Sequence, residues 1–272
     1  MTEFTEANRA YFDKMASTYQ SKFADSMKII AEQTSKHRLW ISDRWTDTEA
    51  GKGQEVKVLE YACGPGVVSM SLAPFVTKVI GVDIADQMLA EFRQNAKTIG
   101  LSDKMVGYKA DLLADSEPEE FSGPEYHDFD VIAVSMALHH FEQPDVALRR
   151  LASRLKKGGS FMIIDLVPSA GSDHGHGHGH GHGHSHSHGH SHGHGHGHNH
   201  GQHHDNSAQE FPRDGAHTVK THGFSAEEMK KLFADAGLDS RFDYEVIPDQ
   251  LKWEKPEKTY YKTIFIARAQ LT

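Results

Sequence analysis

Cysteine is almost absent from this chain: Cys63 stands alone among 272 residues, so no internal disulfide can brace the fold, and a reducing compartment fits. Basic residues are outnumbered, 29 against 38 acidic ones, and the formal charge of -9 leaves neither a basic footprint for nucleic acid nor a polybasic patch for a membrane. Long apolar runs are missing too; none nears the roughly 20 residues that a membrane-spanning helix needs. The first residues, Met1-Thr2-Glu3-Phe4-Thr5-Glu6, are polar and acidic, unlike a secretory signal or an arginine-rich transit peptide. Together these absences point to an intracellular protein, cytoplasmic or nuclear, whose ligand is small or cationic. A hydrophobic share of 38% is still enough for one sizeable core.

What is present is ordered along the chain. Residues from about Ala7 to Trp45 read as helical, with Phe23, Met27, Ile30, Ile41 and Trp45 near one face, and a polar stretch from Thr46 to Gly53 follows. From Val56 short β-branched runs alternate with amphipathic segments, the pattern of βαβ units and a mostly parallel sheet. The runs are Val56 to Tyr61, Lys78 to Asp83, Met105 to Ala110, Asp130 to Ser135 and Phe161 to Leu166. Helices are expected from Ala85 to Thr98, stopped by Gly100, and from Asp145 to Lys156, with Leu148, Leu151 and Leu155 as a stripe that ends at Gly158-Gly159. Ser225-Ala226-Glu227-Glu228 is a capping box that opens one more helix, closed by Gly237. Phe242 to Ile247 and Lys262 to Ala269 then read as two strands without a helix between them, hence an antiparallel hairpin at one edge. The expected fold class is α/β, a Rossmann-like doubly wound sheet of seven strands, mostly parallel.

The chemistry begins in Val56-Lys57-Val58-Leu59-Glu60-Tyr61-Ala62-Cys63-Gly64-Pro65-Gly66, followed by Val79-Ile80-Gly81-Val82-Asp83. A strand, a glycine turn, a helix and a second strand ending in an acid is a nucleotide-binding arrangement. Glycines admit the ligand to the backbone, and the acid can hold ribose hydroxyls. A nicotinamide dinucleotide fits poorly, because Ser69 stands where its fingerprint has a third glycine and Glu60 would face the pyrophosphate. A ligand with an ammonium and a sulfonium suits Glu60, and S-adenosyl-L-methionine carries both.

Further pieces follow in order: Gly81-Val82-Asp83-Ile84 with Met88-Leu89, Ala110-Asp111-Leu112, Phe129-Asp130-Val131-Ile132, Leu138-His139-His140-Phe141, Leu155-Lys156-Lys157-Gly158-Gly159 and His222-Gly223-Phe224-Ser225. With the first glycine turn they resemble the class I S-adenosylmethionine-dependent methyltransferases, near the ubiquinone and menaquinone biosynthesis branch. The resemblance implies that Glu60, Ala62, Gly64 and Gly66 surround the methionine part of the cofactor and that Asp83 takes the ribose hydroxyls. It places Ile84 and Met88 beside the adenine, Asp111 at its amino group and Leu112 near the ring. Ser135 and Met136 would line the surroundings of the methyl, with Tyr11 and Tyr19 in an N-terminal segment folded over the cofactor. The family usually has glycine where Ala62 stands. Histidine titrates near pH ~6.5, so His139 and His140, with His217 and His222 behind them, are candidate bases for a hydroxyl acceptor. The expected partner is a small-molecule methyl acceptor.

Between Pro168 and Phe211 lies a low-complexity tract in which histidine alternates mainly with glycine and serine. His174, His176, His178, His180, His182, His184, His186, His188, His190, His192, His194, His196, His198 and His200 occupy every second position. Such a composition forms no core and reads as a disordered loop. Neutral imidazoles in this number would bind nickel, zinc or copper, so a metal-buffering protein is an alternative reading. A methyltransferase-like regulatory subunit of a protein complex is another. The expected division is 1–53 for a helical cover and linker, 54–170 for the first five strands, 171–208 for the histidine-rich insert and 209–272 for the remainder of the core.

Overall fold

The computed structural model describes residues 1–114, 118–168, 215–255 and 258–272, with 254, 255 and 258 by backbone alone. The insert at 171–208, with its histidines from His174 to His200, lies outside the described residues, as do Phe211 and its neighbours.

Three helices come first, α1 (Glu3–Lys22), α2 (Ala24–Lys36) and the short α3 (Arg38–Ile41). Thr2 caps α1, its hydroxyl accepting from the Thr5 amide, and the chain turns at Phe23 instead of running on as one helix. The α/β part then runs β1 (Lys57–Tyr61), α4 (Val67–Leu72), β2 (Lys78–Asp83), α5 (Asp86–Thr98), β3 (Met105–Lys109), β4 (Phe129–Ser135), α6 (Pro144–Ala152), β5 (Leu155–Leu166), α7 (Ala226–Asp235), β6 (Ser240–Lys255) and β7 (Lys258–Gln270). The seven strands form one sheet in the order β3-β2-β1-β4-β5-β7-β6. β1 pairs in parallel with β2 on one side and with β4 on the other. β7 enters antiparallel to β5 and carries β6 as the edge of a hairpin. The described part of the expected fold class is therefore present.

Side chains alternate across the strands, so helices are needed on both faces. In β4, Val131 and Ala133 pack toward α4 and α5 with Val68, Leu72 and Phe92, while Ile132 and Val134 pack toward α6 and α7 with Leu148, Leu151 and Phe233. Phe92 sits in a hollow made by glycines: a Cβ on Gly66 or on Gly81 would lie 2.6 Å from its ring, and one on Gly107 3.1 Å. The capping box at Ser225 and Glu228 is complete in both directions.

Two elements differ from the expectation. The helix expected from Asp145 to Lys156 stops at Ala152, and Leu155 already pairs with Phe129 as the start of β5. Gly158-Gly159 therefore belongs to an irregular strand start, where Gly158 takes φ 73° and a Cβ on Gly159 would press on the Phe129 carbonyl at 2.8 Å. The edge strands are also longer than expected, because β6 and β7 pair on past Trp253 and Tyr260.

Candidate functional site

The parallel strands end together, and β1 is where the order reverses: its right-hand and left-hand neighbours, β2 and β4, are reached by connections on opposite faces. Such a switch point leaves a crevice beyond the strand ends. A cavity of about 320 Å³ opens there. Glu60, Ala62 and Gly64 from the end of β1, Asp83, Ile84 and Met88 around the end of β2, Asp111 after β3, and Ser135 and Met136 after β4 all line it. Tyr19 and His140 do as well, so most of the residues that the sequence offered for the cofactor share one space.

Two carboxylates set its electrostatics. Glu60 is 2% exposed, and its Oε2 accepts from the Ser69 amide at 2.9 Å and from the Ser69 hydroxyl, so it is anchored on the first turns of α4. Burial nevertheless pushes its carboxyl up to about 7 against the pull of those donors. Asp83 accepts from the Gly64 amide at 2.8 Å through Oδ2 and from the Ala85 amide at 2.9 Å through Oδ1, and burial pushes it up to about 6. Among the described residues no cation forms an ion pair with either carboxylate, and a cationic ligand would supply the counter-charge. Asp111 is tied more loosely, its Oδ1 accepting from the Leu113 amide at 3.0 Å.

The glycine turn divides its labour. A Cβ on Gly64 would meet nothing within 4 Å, so its backbone faces open space, whereas Gly66, at φ 85°, is needed to make room for Phe92. Gly66 supports the turn from behind and does not line the cavity. Ala62 has φ 53°, in the left-handed region where an alanine is strained, and that is the local demand for glycine at this position. Leu112 is 4% exposed and joins the core with Tyr61 and Phe121, so the leucine that lines the cavity is its neighbour Leu113.

A second, smaller cavity of about 120 Å³ shares Phe12, Tyr19, Met27, Ile30, Met136 and His140 with the first. Tyr11 and His139 line this one and not the first, so the structure separates them from the strand-end residues. Tyr19 is deep enough between the two for burial to push its phenol up to about 12. The two histidines lie on a short 3-10 turn (Leu138–His140), their rings 4.0 Å apart. His139 Nδ1 lies 2.7 Å from Asp165 Oδ1, and His140 Nδ1 lies 2.6 Å from the Thr218 carbonyl oxygen. Burial, reinforced by His139, holds His140 well below the usual histidine range. His217, the next candidate, packs edge-on against Tyr11 with ring centres 5.5 Å apart.

Sequence reasoning missed Asn8, Phe12 and Arg150 in the wall, and it missed Asp165. Asp165 carried a signal, since it is the lone acid in Phe161 to Leu166, just as Glu60 is in β1. Helix residues such as Asn8 carried none, because only the docking of α1 brings them there. Among the described residues no group of three or more His, Cys, Asp or Glu is placed to hold a metal ion, and no helix is long and apolar enough to cross a membrane.

Comparison with known proteins agrees with this geometry. A methyltransferase domain model matches residues 21–241. An uncharacterised methyltransferase of Schizosaccharomyces pombe is 26% identical over 128 residues, 46% of this chain and 44% of that protein. The ubiquinone biosynthesis O-methyltransferase of Idiomarina loihiensis is 31% identical over 132 residues, 47% of this chain and 48% of that one. The chain thus spans about half the length of these curated relatives. Among solved structures, magnesium protoporphyrin IX methyltransferase from Synechocystis PCC 6803, with bound S-adenosylmethionine, superposes with a TM-score of 0.55 at 14% identity, over 99% of this chain and 98% of that one, a likeness of fold. With a family model matched across the strand-end crevice and its acids, the chain belongs to the class I S-adenosylmethionine-dependent methyltransferase family.

Proposed function

We propose that this protein transfers a methyl group from S-adenosylmethionine to a small organic acceptor. The observation that carries the reading is the pair of buried, uncompensated carboxylates, Glu60 and Asp83, at the ends of adjacent strands in one cavity. They suit an ammonium and a ribose and would repel a pyrophosphate. Bound there, the cofactor supplies a methyl already activated by its sulfonium. Glu60 attracts the ammonium, the open backbone at Ala62 and Gly64 admits the methionine part, and Asp83 accepts from the ribose hydroxyls. Ile84 and Met88 flank the adenine, Asp111 accepts from its amino group, and Leu113 takes the place expected of Leu112. Ser135, in the first cavity, and Met136, which lines both cavities, border the methyl. The acceptor then comes from the side of the second cavity, and much of the acceleration follows from holding nucleophile and methyl in line at roughly 3 Å with water excluded.

Titration calorimetry with S-adenosylhomocysteine tests the reading. Binding in the micromolar range, weakened at least tenfold by Asp83→Ala and by Glu60→Ala, is expected. Wild-type protein that is folded and binds nothing, or variants that bind as well as the wild type, would overturn it.

A further inference from the structure

We infer that His139 and Asp165 form the proton-accepting pair of this site and that the acceptor is an uncharged, largely apolar molecule presenting a hydroxyl group. The inference rests on the reading of the first cavity as the cofactor site. Asp165 stands at 0% exposure in the buried run of β5 between Ile164 and Leu166, where a lone carboxylate would be strongly destabilising. It is paired instead. Oδ1 accepts from His139 Nδ1 at 2.7 Å and from the Leu166 amide at 2.6 Å, and Oδ2 accepts from the His139 amide at 3.2 Å. A ring whose Nδ1 proton points at a carboxylate carries its lone pair on Nε2, and the carboxylate stabilises the imidazolium that forms when Nε2 takes a proton.

His140 offers a contrast one residue away. Its Nδ1 faces a carbonyl, which does far less for a positive ring, and burial beside His139 keeps it neutral. Of the two histidines only His139 is built as a base. The Met136 amide donates to the Ile164 carbonyl at 2.7 Å, which fixes the residue bordering the methyl beside the strand that carries Asp165.

The second cavity supplies the substrate class. Phe23, Met15, Leu251, Val219 and Trp253 add to the shared apolar wall, and no Asp, Glu, Lys or Arg is among the described residues that line it. A charged acceptor would lose its hydration there without a partner. Ser26 in that wall offers a polar handle: it is 5% exposed, and its hydroxyl has no hydrogen-bond partner among the described residues, which leaves it available to a second oxygen or nitrogen of the acceptor. In the step itself the acceptor oxygen forms a bond to the methyl carbon while the carbon–sulfur bond breaks and its electron pair returns to sulfur. The hydroxyl proton passes to His139 Nε2, so one positive charge disappears from sulfur as one appears on the imidazole.

Tritiated-methyl S-adenosylmethionine, offered with a set of uncharged hydroxyarenes and with the matching aryl carboxylates, provides the test. Transfer to hydroxyarenes alone is expected. Asp165→Asn should lower kcat by roughly 100- to 10,000-fold with KM and S-adenosylhomocysteine affinity within threefold, His139→Gln should do the same, and His140→Gln should act on KM. With the cofactor site saturated by S-adenosylmethionine, so that Glu60 and Asp83 drop out, the pH profile of kcat should differ between the wild type and both variants. The titratable groups around His139 are Asp165 on β5, His140 on its own turn, Tyr11 on α1, His217, Lys220 and His222 on the segment whose amides bind its carbonyl, and Tyr244 on β6, near Asp165. Should Asp165→Asn not fold, His139→Gln carries the same readout. A folded variant that binds S-adenosylhomocysteine and keeps kcat within threefold would overturn the pair. Cofactor binding without transfer to any hydroxyarene would overturn the substrate class and leave the cofactor site standing, whereas failure of the wild type to bind S-adenosylhomocysteine would remove both.

Discussion

Glu60 shows how one buried charge couples stability to ligand. Its folded value of about 7 lies above the ~4.3 of an exposed glutamate, so the neutral form contributes its full stability below pH ~4, and that contribution is lost as pH rises through 7. Asp83 behaves the same way, its contribution lost as pH rises from ~4 through about 6. Glu60→Gln keeps an acceptor for Ser69 and removes the charge. In ligand-free protein it should therefore gain on the order of 3 kcal/mol at pH 8 but only about 1 kcal/mol at pH 5, which thermal unfolding at the two pH values checks. The same variant should lose at least tenfold in S-adenosylhomocysteine affinity at pH 8, and wild-type affinity should rise from pH 5 to 8 as binding expels the protons. Ala62 gives the second residue-scale prediction. At φ 53° it is strained, so Ala62→Gly should leave stability equal or raise it by about 1 kcal/mol, where the same change in a helix would cost that much. Both residues stood out in the sequence, Glu60 as an acid inside an apolar strand and Ala62 as a departure from glycine, but neither the titration nor the backbone angle was legible there.

At the scale of elements, hydrophobic patterning identified the core strands because a strand buried on both faces reads as an unbroken β-branched run. Where α6 ends was hidden, since Leu155 continues the spacing of Leu148 and Leu151 although it pairs with Phe129 in β5. Tertiary pairing overrode the helical period. The role of Gly66 was hidden for a similar reason: its spacing marks a ligand turn, yet its hydrogen faces Phe92 of α5. Gly81→Ala should accordingly destabilise the protein by about 2 kcal/mol or more through overpacking against that ring, although position 81 lies within β2 and lines neither cavity, and denaturant unfolding measures it.

At the scale of the molecule, the cavities are completed by a helix that contributes little to the core. α1 lends Asn8, Phe12 and Tyr19 to the walls but buries only Asn8 and Ala16, and it is tied down by surface bonds such as the Gln87 amide to Asp13 at 2.8 Å and Gln20 to Glu91 at 2.7 Å. Deleting residues 1–22 should leave a cooperatively folding sheet, by circular dichroism, with S-adenosylhomocysteine affinity reduced at least tenfold.

The chain by itself determined the sheet, its parallel character, its edge hairpin and the acids at the strand ends, because strand burial, glycine turns and lone carboxylates are properties of short segments. Only the tertiary structure decided which leucine faces the cavity, what Gly66 makes room for, and that Asp165, 26 residues from His139 along the chain, stands behind it. Those outcomes depend on which strands become neighbours, and the pairing of β4 with β5 is a property of the whole sheet that no local pattern records.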